Sequence, residues 1–174
     1  MPFVDSGACP FEGCQYGNWT ARTEIVALKD PPFPWNPGPH DTTNVFRIVK
    51  GETVFAATGV LSFSKPGRVR VDKAVRARLG SAHFPLTAEE VTLSPGDIMY
   101  LLTPQGEGWV LAWFKGVLID YDASQLKNGG CNTDCAGELL ELGQSEWWVQ
   151  LRNSRGEVGW TNRSQEFDGR DRFG

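Results

Sequence analysis

DIMYLLTPQGEGWVLAWFKGVLIDYD, residues 97–122, carries the densest β pattern in the chain. Gly106-Glu107-Gly108 and Lys115-Gly116 divide it into three short β-prone runs joined by turns of hairpin length. Successive side chains of a strand point to opposite faces, so in the middle run Trp109, Leu111 and Trp113 share one face and Val110, Ala112 and Phe114 the other. A strand apolar on both faces is expected at the centre of a sheet and covered on both sides.

Working upstream, SKPGRVRVDKAVRARLG breaks at Pro66-Gly67 and then alternates Val69 and Val71 with Arg68, Arg70 and Asp72, the pattern of a half-exposed strand. TNVFRIVKGETVFAATGVLSF, residues 43–63, reads as two strands about a Lys50-Gly51 turn, and TARTEIVALK, residues 20–29, as a first strand. Between them DPPFPWNPGPHD holds five prolines. Proline removes backbone donors, so this segment is expected as an extended surface loop. TAEEV at 87–91 predicts a short helix, with Thr87 as its cap and Glu90 three residues on.

Downstream, SQLKNGGCNTDCAG reads as a linker or stapled loop. ELLELGQSEWWVQLRNSRGEVGWT then predicts a strand, a turn near Gly143, a strand with Trp147, Val149 and Leu151 on one face, a Ser154-Arg155-Gly156 turn and a short strand with Val158 and Trp160. In the polar tail, Phe167 and Phe173 are candidate anchors.

These 174 residues, 40% hydrophobic with 20 Gly and 11 Pro, suit many short strands joined by turns, and the length fits two small domains. A net charge of −4 argues against a nucleic-acid partner. The basic run Arg68, Arg70, Lys73, Arg76 and Arg78 reads as a solvated face, with an anionic partner as the lesser alternative. No stretch reaches the ~18 apolar residues that span a bilayer.

Four cysteines stand in two close pairs, Cys9 with Cys14 and Cys131 with Cys135. Disulfides are the leading reading in so loop-rich a chain, and three connectivities are possible. A cross-link enclosing over a hundred residues restricts the unfolded chain by roughly 4–5 kcal/mol, against ~2 for a loop of four or five. A four-thiolate zinc site is less well suited, because the C-x4-C and C-x3-C pairs stand 116 residues apart instead of in one compact ribbon, and free thiols remain open. Oxidised cysteines imply a periplasmic or extracellular location, with MPFVDSGACPFEG readable as a mature N-terminus after signal-peptide removal.

Catalytic chemistry is hard to find. His40 and His83, the two histidines, stand beside no nucleophile, and no P-loop, dinucleotide fingerprint or metal cluster implies a cofactor. Asp120 and Asp122 share one strand face and are either a solvated edge or the acid pair of a small cell-envelope hydrolase. Of the seven tryptophans most are expected in cores. Trp148, sharing its face with Gln150 and Arg152, and Trp35, in the proline loop, are expected to be partly exposed or packed between domains and are the ligand-binding candidates.

EWWVQLRNSRGEVGWT resembles the closing hairpin of bacterial SH3-like domains, and VALKDP with VFRIVKGETVFAATG resembles their earlier strands. CPFEGCQYGNW, GEGWVLAWFKG and the WWVQLRNSRGEVGWT run together resemble a set of uncharacterised secreted bacterial proteins. The resemblance implies an all-β chain of two small SH3-like barrels. One is discontinuous (1–65 plus 125–174) with a second inserted at 66–124; tandem barrels meeting near 85 are the alternative. It further implies a non-catalytic module that binds a peptide, a cell-wall glycan or a protein, since the fold hosts unrelated functions. A structural accessory role is also compatible.

Overall fold

The computed structural model describes residues 3–30, 41, 43–80 and 89–173. Trp35, His40, His83 and the proline-rich loop lie outside these residues. The described strands are β1 (Phe3–Ser6), β2 (Gly17–Ala21), β3 (Ile25–Leu28), β4 (Asn44–Ile48), β5 (Thr53–Lys65), β6 (Gly67–Val71), β7 (Val75–Leu79) and β8 (Glu90–Leu93). They continue with β9 (Ile98–Gly106), β10 (Trp109–Phe114), β11 (Val117–Asp122), β12 (Leu126–Lys127), β13 (Gly137–Glu141), β14 (Gln144–Arg152), β15 (Val158–Thr161) and β16 (Phe167–Asp168). Helical structure among the described residues is confined to the single 3₁₀ turns Ala123–Gln125 and Ser164–Glu166. The described end of the expected 87–91 helix is strand β8.

The chain is all-β and divides into two barrel-like units, residues 63–145 and, on either side of them in sequence, those up to 62 with those from 146 on. Residues 125–145 therefore belong to the inner unit and not, as expected, to the outer one. The reason is strand pairing: β13 runs antiparallel to β6, with Glu138 opposite Arg70 and Glu141 opposite Arg68, and β12 runs parallel to β13.

In the outer unit the sheet order is β16-β2-β5-β14-β15-β3-β4, with β1 on β5. The expected first strand is two strands with different partners, because β2 pairs with β16 and β5 whereas β3 pairs with β4 and β15. The Lys50-Gly51 turn likewise joins strands that are not neighbours. Its backbone is taken up by Ala21, whose N–H donates to Glu52 O at 2.9 Å and whose O accepts from Gly51 N at 2.7 Å. Trp147 sits among Phe11, Tyr16 and Trp19 at ring-centroid distances of 5.9, 6.0 and 5.7 Å, edge-on to Phe11 and Trp19, a favoured aromatic geometry. Phe167 adjoins Trp19 at 5.7 Å and is buried, while Phe173 is exposed.

Cys9 bonds Cys14 and Cys131 bonds Cys135, so both disulfides close local loops. The first loop meets the tail through Gln15 N to Arg170 O at 3.0 Å and Arg172 N to Gly13 O at 2.9 Å, and Arg170 lies over Phe11. The ends of the outer unit's chain are thereby tied to each other.

In the inner unit the order is β12-β13-β6-β9-β10-β11-β7-β8. One face carries the core, with Val69, Val71, Met99, Ala112 and Ile119 at 0% exposure. β10 is central, as its sequence requires, but its second face is not wholly covered: Trp109 and Trp113 are 47% and 43% exposed.

Candidate aromatic binding site

The side chains opposite the inner core form rows across the sheet. Trp113 of β10 lies directly across from Tyr100 of β9 on one side and Leu118 of β11 on the other. Tyr100 in turn stands opposite Arg68 of β6, which stands opposite Glu141 of β13. Cross-strand neighbours have Cβ atoms ~5 Å apart, so Tyr100, Trp113 and Leu118 make a continuous shelf. Tyr100 is 38% exposed and Leu118 half-buried.

Polar groups bound the shelf on the β6 side. Glu141 accepts from Arg68 Nη1 at 3.0 Å and pairs with Lys65 Nζ at 2.6 Å, and these two cations, Lys65 foremost, hold its carboxyl below the usual range. Arg70 pairs with Asp72 at 2.9 Å and Glu138 at 2.8 Å. At the other end Gly80, which has no side chain, donates its N–H to Leu118 O at 3.0 Å.

Along β11 the next outward residue is Asp120, opposite Leu111 of β10 and Arg78 of β7. Asp120 is 4% exposed and Leu111 0%, so the second face is closed here and the open surface is the Trp113 shelf and, separately, Trp109. Neither Asp120 oxygen has a hydrogen bond among the described residues. Burial therefore pushes this carboxyl up, with Gln105 and the Arg78 charge opposing the shift only in part. A Cβ on Gly80 would lie 2.3 Å from Asp120 Oδ1, so any side chain at residue 80 would force the carboxylate to shift.

Asp122 differs. It caps the 3₁₀ turn, accepting from Ser124 N at 3.0 Å, Ser124 Oγ at 2.6 Å and Gln125 Nε2 at 3.2 Å, and the Ser124 bonds hold its carboxyl down. The two aspartates are thus neither the solvated edge expected of them nor a pair that presents open oxygens to a substrate. One is buried and the other is committed to its own turn.

Trp148 is 4% exposed, which removes the partly exposed ring from the two alternatives expected of it. On its face Trp148 is buried between exposed Glu146 and half-buried Gln150, so polar neighbours along the strand do not report what covers the ring itself. Trp35 lies outside the described residues. The basic run is largely matched by acids: besides Arg68 and Arg70, Lys73 bonds Asp134 and Arg76 lies 4.0 Å from Glu90. The sequence places Trp109 and Trp113 on a covered face, and nothing local in their alternation distinguishes covered from open; it makes no assignment for Tyr100.

Among the described residues no cluster of His, Cys, Asp or Glu could hold a metal ion, and no helix is long and apolar enough to cross a membrane. The chain matches no protein-family model, no curated protein and no solved structure.

Proposed function

We propose that this chain is a non-catalytic binding module of SH3-like barrels that works outside the cytoplasm and recognises a peptide, a cell-wall glycan or a protein partner. The observation that carries the reading is the exposure of Trp113 beside Tyr100 on a central strand, where both rings would otherwise be expected under a second layer. Two disulfides support an oxidising compartment. The acid-matched basic run weighs against a nucleic-acid partner. A hydrolase is the weaker reading, because Asp120 and Asp122 do not offer two accessible carboxyls to one substrate.

Co-sedimentation of the oxidised protein with purified sacculi that retain their attached proteins tests the module reading. Retention of the wild type and its loss in Trp113→Ala is expected. No retention, or equal retention of the two proteins, would overturn it.

A further inference from the structure

We infer that the shelf of Tyr100, Trp113 and Leu118 is a stacking platform for the sugar rings of an uncharged polysaccharide. This rests on the binding-module reading and names its ligand class.

Three features of the shelf select the ligand. The first is its place in the sheet. Trp113 belongs to β10, whose backbone is paired on both sides by β9 and β11, so no extended peptide can add to it as a strand. A ligand must lie on the face and be held by side chains alone, and the apolar C–H face of a pyranose ring suits a flat indole or phenol. The second is charge. Lys65 and Arg68 are matched by Glu141, and Arg70 by Glu138 and Asp72, so the border offers fixed donors and acceptors without a net field. That border suits hydroxyl groups, whereas an anionic or cationic ligand would meet no complementary excess. The third is size. With strands ~4.8 Å apart, the row from Arg68 to Leu118 spans roughly 14 Å, the length of a few sugar rings.

The direction of the chain follows from the row. Arg68 with Glu141 stands at the β6 end of the row, so a polysaccharide lying along it crosses the strands and meets the ion pair there with its hydroxyls.

Titration of the full oxidised chain with chitohexaose, cellohexaose and a decaproline peptide, followed by tryptophan fluorescence and calorimetry, tests this. Binding of at least one hexasaccharide is expected, with affinity nearly unchanged up to about 0.5 M salt. Trp113→Ala should weaken it about tenfold or more, and Trp113→Tyr, which keeps a ring, should stay within a few-fold of wild type. Binding of neither sugar overturns the inference, as does sugar binding that Trp113→Ala leaves intact or that salt abolishes. Trp113-dependent binding of decaproline alone also overturns it, yet leaves the module reading standing. Only failure of the sacculus experiment as well removes that reading.

Discussion

Asp120→Asn isolates the cost of burying a charge that Gln105 and Arg78 offset only in part. The substitution keeps the shape of the side chain beside Gly80 and opposite Leu111 but removes the ionisable oxygen. A buried polar group without a hydrogen bond costs about 1–3 kcal/mol, and more when charged. Holding a carboxyl protonated at pH 7 has a ceiling of ~4 kcal/mol, since each unit above its unfolded value near 3.9 counts ~1.4 kcal/mol. Arg78 is exposed, so its attraction is screened and offsets little of this.

The amide keeps the cost of a buried polar group and removes only that of its charge, so Asp120→Asn is expected to stabilise the protein at neutral pH by at most ~4 kcal/mol. The folded state raises this carboxyl, so the native protein binds the proton more tightly than the unfolded chain does. The contribution is fully favourable below the ordinary carboxylate range and is lost as pH rises through the folded value. The variant's advantage should accordingly shrink towards zero by about pH 4. Urea unfolding followed by far-ultraviolet circular dichroism across that range measures it. A variant less stable than wild type at neutral pH, or an advantage that grows on acidification, would refute the reasoning.

The local disulfides should each contribute ~2 kcal/mol, so replacing either cysteine pair by serine lowers the urea midpoint modestly, and non-reducing peptide mapping should recover Cys9–Cys14 and Cys131–Cys135 peptides. Trp19→Phe should cost about 1 kcal/mol more than Trp148→Phe in the same assay, because Trp19 Nε1 donates to Gln15 O at 3.0 Å whereas the buried Trp148 Nε1 has no hydrogen bond. Gly59→Ala would place a Cβ 2.4 Å from Trp147 Nε1 and 2.6 Å from Tyr16 Oη, and this overpacking should destabilise the protein by ~1–3 kcal/mol in thermal melts.

Alternation along the chain determined the all-β class and much of each strand's facing. Val69 with Val71, and Val149 with Leu151, are fully buried on the faces their period of two assigns. The break at Pro66 and the turn at Lys115-Gly116 are likewise local matters, legible from residues that break or bend a strand. Local patterning could not decide which strands become neighbours. The two arms about Lys50-Gly51 look like a hairpin, but β4 pairs with β3 and β5 with β2. Nor could four cysteines choose among three connectivities, since that requires knowing which loops approach. The site was hidden for the same reason. Periodicity says that Trp113 and Leu111 share a face, and Trp148 and Gln150 another, but whether something remote covers that face is a property of the folded chain. Tertiary contacts alone buried Trp148 and Asp120, and left Trp113 and Tyr100 open.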